Sequence, residues 1–102
     1  MCGIVGFITK DHFDFIPILG DMIDSINHRG PDDKGVWVDT NNCVGLGHAR
    51  LSILDLSNAG HQPMNSMSSR FTIVFNGEIY NHKSLRKELN NCGVLDWKGR
   101  SD

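Results

Sequence analysis

No apolar run in the 102 residues approaches the roughly 18 to 20 that a membrane-spanning helix requires, so no segment reads as a bilayer crossing. The opening run MCGIVGF has no basic residue ahead of it, and Lys10 and Asp11 end it early, which is not the pattern of a secretory signal. Neither sign of charge dominates. Ten basic and twelve acidic residues give a net charge of −2, with the basic ones scattered, so the chain has no electrostatic footprint for a nucleic acid or an anionic membrane. Small polar ligands are the expected partners. Cys2, Cys43 and Cys92 are odd in number and show neither a CxxC spacing nor a His-paired one, so they read as reduced thiols of a cytoplasmic protein, with no metal site. A P-loop is missing too, and with it any expectation of ATP or metal bound on this chain. Without repeats, low-complexity tracts or a Pro/Gly/Ser linker, residues 1–102 read as one unit.

What is present has the balance of a folded chain, 39% hydrophobic and 22% charged. Residues 2–8 form a short apolar run with Gly3 and Gly6 inside it, which predicts a buried central strand approached closely by other backbone. Over residues 15–26, Leu19, Met22, Ile23 and Ile26 recur at helical spacing and predict an amphipathic helix. Residues 28–35 (HRGPDDKG) read as a loop. Residues 36–39 and 43–48 then read as a hairpin around Asn41-Asn42, with residues 50–54 a possible extension of the sheet. Residues 56–69 read mostly as loop. The strict alternation of residues 70–75 is the firmest strand signal, and Asn76-Gly77 directly after it is the strongest turn signal. Asn81 is expected to cap a helix reaching Asn91, with Leu85 and Leu89 inward and Gly93 just past its end. The sum is a mixed α+β pattern with mostly antiparallel hairpins.

The chemistry centres on Cys2. An initiator methionine is removed most readily ahead of a small residue, and Cys2 would then carry both a thiol and a free α-amine. Such an amine has an ordinary pKa of about 7.7 to 8.0, suited to accept the thiol proton and later return it to a leaving group. Acyl transfer also needs donors aimed at the developing oxyanion. The Asn76 side-chain amide and the Gly77 backbone N–H are candidates, although an isolated Asn-Gly is more commonly a plain turn. Arg50, Glu78 and Asp102 would supply charged partners for a zwitterionic amino acid. Each of these carboxylates alone is by default solvated, Arg29 with Asp32 or Asp33 alone is a surface ion pair, and His48 and His61 take no assigned role.

The blocks MCGIVGF, NHRGPDDKG, GLGHARLSILDLSNAGHQPM, FNGEIYNHKSLRKEL and GRSD, in that order, resemble the class II, N-terminal-nucleophile glutamine amidotransferases across nearly the whole chain. HARLSILDL and GHQPM are similar to the asparagine synthetase branch in particular. The resemblance implies Cys2 as nucleophile, with Asn76 and Gly77 as the oxyanion hole. Arg50 would hold the glutamine α-carboxylate through a bidentate pair and Asp102 the α-ammonium. Leu51, Ile53 and Glu78 would line the pocket, and Arg29 would order the site. It further implies a four-layer αββα sandwich of which residues 1–102 form the N-terminal portion. Glutamine is the implied substrate, and ammonia passes to a C-terminal synthetase domain, where ATP and magnesium are expected. Uncovered sheet faces in so short a chain imply a homo-oligomer. A retained Met1 would block the amine, so little glutaminase activity is expected before its removal.

Overall fold

The helical spacing around Leu19 is realised as α1, Phe15–Ser25, which begins where the Asp14 carboxylate accepts the Ile16 N–H at 3.2 Å. Pro17 lies in the first turn, where its missing N–H has no intrahelical partner to lose. Phe15, Leu19 and Ile23 form the buried stripe. The computed structural model describes residues 1–53 and 56–99. Along the chain run β1 (Gly3–Ile8), α1, a 3-10 turn (Asn27–Arg29), β2 (Asp33–Asp39), β3 (Val44–Arg50), a second 3-10 turn (Asn58–Gly60), β4 (Met64–Asn65), β5 (Thr72–Ile73) and α2 (His82–Asn91). It is a small α+β arrangement in which every described strand pair is antiparallel. No helix of the described residues is long and apolar enough to cross a membrane.

The first sheet has the order β1-β3-β2, so β3 is central and β1 is an edge strand, not the central strand its apolar run suggests. The reason lies in β3, where Gly45, Gly47 and Ala49 face α1. A Cβ on Gly47 would stand 2.8 Å from Ile23 Cδ1 and one on Gly45 3.2 Å from Leu19 Cδ1. Small residues on the middle strand let the helix seat directly on the sheet. Phe7, Phe13 and Phe15 close one end of this core, with Phe7 and Phe15 edge to face at 5.2 Å. Leu19 is fully buried there among Phe15, Cys43, Val5, Phe7, Met22 and Val38. Leu19→Ala is expected to cost about 2–5 kcal/mol of stability. Urea unfolding measures it, and an unchanged midpoint would contradict the packing described.

Several element boundaries differ from those expected. Strand β2 starts at Asp33, so Lys34 and Gly35 belong to the sheet and not to the loop before it. The hairpin connection spans residues 40–43, since Asp39 pairs with Val44, and Cys43 takes a positive φ of 54°. The Asp39 carboxylate organises it by accepting the Asn41 and Asn42 N–H groups at 3.0 and 3.1 Å and Asn42 Nδ2 at 2.7 Å. These bonds, led by the Asn42 side chain, hold the Asp39 carboxyl below its usual pKa. Beyond Arg50, residues 51–53 are not strand.

The alternating run 70–75 keeps only Thr72–Ile73 as strand, paired with Met64–Asn65 inside the stretch that read as loop. Proline has no N–H, so Pro63 ends the ladder on one side, and the Ser66 N–H to Phe71 carbonyl bond of 2.9 Å turns the chain on the other. Helix α2 has Asn81 at its N-cap without a side-chain capping bond, and it buries none of its residues. Leu85 and Leu89 are therefore exposed, not inward, because nothing among the described residues packs over that stripe. Its end matches the glycine signal. Gly93 has φ +91° and donates to Asn90, and Val94 donates to Leu89, each at 3.0 Å, a Schellman closure.

Candidate functional site

Cys2 precedes β1 directly, where Gly3 pairs with Ala49, and this puts it beside the chain leaving the end of β3. The Leu51 N–H donates to Cys2 Sγ at 3.3 Å, and the thiol lies 3.7 Å from the Leu51 carbonyl. Arg29 Nε donates to the Cys2 carbonyl at 3.1 Å. The arginine belongs to the 3-10 turn after α1, so the helix and β3 between them fix both ends of residue 2. A side chain at position 3 would meet Ile26 Cδ1 at 2.6 Å, and glycine there is what lets the turn close over β1. Cys2 is half-buried, while Met1 is 75% exposed.

Arg50 ends β3 with its side chain buried, an unusual setting for a cation that requires several partners. Nη1 donates to the Ser57 carbonyl at 2.8 Å, and Gly60 lies flat against the guanidinium, where a Cβ would stand 2.7 Å from Cζ. The surrounding backbone is pinned as well. Asp32 donates its N–H to the Arg50 carbonyl at 3.0 Å, and its carboxylate accepts the Ser52 N–H at 2.7 Å. Ile53 and Glu78 are exposed. Asp102 lies outside the described residues.

Asn76-Gly77 is not a hairpin turn. Among the described residues no strand follows it, and it joins β5 to α2 with both residues exposed. Neither residue hydrogen-bonds Cys2, whose partners are Leu51 and Arg29. The preceding residue is held firmly. Gln62 Oε1 accepts the Phe75 N–H at 2.6 Å, and Gln62 Nε2 donates to the Phe75 carbonyl at 3.2 Å. The structure thus brings together Cys2, Arg29 and Leu51, places Arg50 next in sequence to Leu51, and sets Asn76-Gly77 on a separate, anchored segment.

His48 is on the same sheet face as Arg50, two residues earlier on β3. It is 1% exposed, and its Nε2 has no hydrogen-bond partner. Burial pushes its pKa below the ordinary 6.5, against the opposing pull of the Phe75 backbone and the Asp33 carboxylate and with the help of Arg50 and His61. A histidine that binds its proton more weakly folded than unfolded stabilises the protein above about pH 6.5, and that contribution is lost as pH falls toward its folded value. Unfolding midpoints are expected to drop on acidification below pH 6.5, and His48→Gln is expected to flatten that slope. A slope equal in both proteins would assign it to other groups.

Sequence reasoning gave Gln62 and His48 no role. The usable signal is Pro63, because a proline inside a two-stranded ladder leaves a gap that the neighbouring carboxamide can fill. Among the described residues no group of three or more His, Cys, Asp and Glu side chains is arranged to hold a metal ion.

Residues 1–102 match the family model described as a glutamine amidotransferase domain. The chain is similar to a protein named amidase chry2 of Gibberella zeae, at 42% identity over all of this chain and 16% of that protein. It is also similar to a putative glutamine-hydrolysing asparagine synthetase 2 of Methanocaldococcus jannaschii, 40% identical over 88% of the chain and 21% of that protein. A glutamine-hydrolysing asparagine synthetase 1 of Bacillus subtilis is 43% identical over 87% of the chain and 14% of its own length. The chain spans less than a quarter of the length of these curated relatives.

Proposed function

Because the chain belongs to the glutamine amidotransferase domain family, we propose that it carries a glutaminase half-reaction with Cys2 as the nucleophile once Met1 is removed. One observation supports this most strongly. Leu51, whose N–H holds the Cys2 sulfur at 3.3 Å, directly follows the buried Arg50, so one stretch of backbone sets the nucleophile beside a cation suited to an amino-acid carboxylate.

In this reading the freed α-amine of Cys2 accepts the thiol proton, and the sulfur attacks the γ-amide carbon of glutamine. The oxyanion of the tetrahedral intermediate is stabilised by the Asn76 side chain and the Gly77 N–H. The same amine returns the proton to the departing nitrogen, ammonia leaves, and a γ-glutamyl thioester remains. Water adds to the thioester carbon and the thiolate departs, giving glutamate. Arg50 pairs the α-carboxylate through its planar guanidinium, a geometry suited to two-point recognition of a carboxylate. Asp102 holds the α-ammonium, Leu51, Ile53 and Glu78 line the side-chain pocket, and Arg29 keeps residue 2 in place through its carbonyl.

In this reading the ammonia passes to an ATP-dependent synthetase domain of a cytoplasmic protein, and the relatives named as glutamine-hydrolysing asparagine synthetases support the coupling of glutamine hydrolysis to a synthetase. The antiparallel sheet with a helix on one face is consistent with one half of a four-layer sandwich. A glutamine analogue bearing an electrophile in place of the γ-amide tests the site. Mass spectrometry is expected to find the adduct on an N-terminal Cys2, with excess glutamine blocking it, and an unlabelled Cys2 in a processed chain overturns the reading. The relative named an amidase favours a second reading, in which the same sulfur attacks a different amide. Hydrolysis of an analogue lacking the α-carboxylate as fast as glutamine would select it.

A further inference from the structure

Between the sheet that holds Cys2 and the segment that carries Asn76-Gly77, the Gln62 side chain makes two hydrogen bonds to Phe75, which the buried His48 of β3 also approaches. Met64 pairs with Ile73, so continuing the antiparallel register by two residues puts Gln62 opposite Phe75. Pro63 cannot donate, and the backbone ladder stops before it gets there. The Gln62 side chain completes the pairing instead, since a carboxamide offers the same acceptor and donor as a peptide group. It accepts the Phe75 N–H at 2.6 Å and donates to the Phe75 carbonyl at 3.2 Å, leaving Asn76 as the next residue along.

The other side of Gln62 rests on the first sheet. Its backbone carbonyl lies directly over Gly35 of β2, where any Cβ would collide with it, and Gly35 is the residue paired with His48 of β3. His61, one residue earlier, is tied to Asp33 of β2 through Nδ1 and Oδ2 at 2.6 Å. A continuous path therefore runs from β2, through the backbone of residues 61 and 62, through the Gln62 carboxamide, to Phe75. The nucleophile hangs from the same sheet by the Gly3 to Ala49 pairing.

We propose that Gln62 is a positioning residue for the oxyanion donors, holding Asn76 and Gly77 at a set distance from Cys2 by taking the place of a backbone partner at Phe75. The inference rests on the glutaminase reading above. Donors aimed at an oxyanion act in the transition state and little in the ground state, so their displacement lowers kcat and leaves KM nearly unchanged. Gln62→Glu keeps the acceptor for the Phe75 N–H but sets a carboxylate against the Phe75 carbonyl, and Gln62→Leu removes both bonds at similar volume.

The experiment is steady-state glutamine hydrolysis by the Met1-processed protein, with thermal midpoints and hydrogen exchange at the Phe75 amide recorded in parallel. Both variants are expected to lose about 10- to 100-fold in kcat with KM within about threefold. Exchange at Phe75 is expected to rise most in Gln62→Leu, with Cys2 still labelled by the glutamine-analogue electrophile. Variants with wild-type kcat, or with kcat loss that disappears once assayed well below their thermal midpoints, overturn the positioning role and leave the glutaminase reading intact. A processed wild-type protein that releases no ammonia from glutamine overturns the glutaminase reading, and this inference with it.

Discussion

Cys2→Ala is expected to reduce glutamine hydrolysis by roughly 10³-fold or more, because in the proposed reaction every covalent step passes through that sulfur. The substitution removes one atom from a half-buried site; it deletes the weak Leu51 N–H bond to the sulfur but keeps the Arg29 bond to the residue 2 carbonyl, which does not depend on the side chain. The strand should therefore persist, and the thermal midpoint should shift little. A protein that still releases ammonia from glutamine at a tenth of the wild-type rate would remove Cys2 from the chemistry. Blocking removal of Met1 is expected to have an effect of the same order for a different reason. The residue 2 nitrogen is then an amide, which has no lone pair available to accept the thiol proton. Restoring processing without altering the sulfur should restore activity, which separates the contribution of the amine from that of the thiol.

Arg50→Lys is expected to lower kcat/KM for glutamine by roughly 100-fold, mainly through KM. An ammonium cannot form the planar two-point pair with a carboxylate, and a charged hydrogen bond contributes about 1.5–3 kcal/mol. The lysine also loses the geometry of the Nη1 bond to the Ser57 carbonyl and the flat contact with Gly60. Some loss of stability is expected for that reason, and it is measured separately by urea unfolding. The kinetic signature distinguishes the two effects. Loss of an interaction made equally in ground and transition states raises KM and spares kcat, whereas a partly unfolded population lowers apparent kcat and spares KM. Loss confined to kcat would move Arg50 from substrate binding to structure.

The elements with a strong local signal were legible without coordinates. The stripe of Leu19 and Ile23 makes α1, and Gly93 ends α2 because a left-handed backbone there suits glycine. The elements that failed did so where the deciding partner is distant in sequence. Residues 70–75 alternate as a strand should, yet a strand exists only as far as its partner donates, and Pro63 stops the ladder after two residues. Residues 2–8 have the apolar content of a central strand, but order within a sheet follows from which strands pair. Here β3 takes both neighbours. Leu85 and Leu89 define an apolar stripe correctly, while its burial depends on what lies against it.

The candidate site divides in the same way. Cys2, Arg50 and Asn76-Gly77 are legible in the sequence as candidates because a thiol beside an α-amine, a bidentate cation and a pair of amide donors are properties of the residues themselves, and the ordered blocks added the family. By itself the sequence determined which groups are available, the α+β class and the helix ends, since these depend on side-chain chemistry and on interactions within a few residues. Only the tertiary structure decided that Leu51 holds the Cys2 sulfur, that Arg29 holds its carbonyl, that His48 is buried with an unpartnered nitrogen, and that Gln62 stands in for a missing backbone partner at Phe75. Those contacts join residues 13 to 49 positions apart or depend on what surrounds a side chain. Hydrogen bonds at about 3 Å are set by the register of strands and the gap left by a proline, quantities that no local stretch of sequence contains.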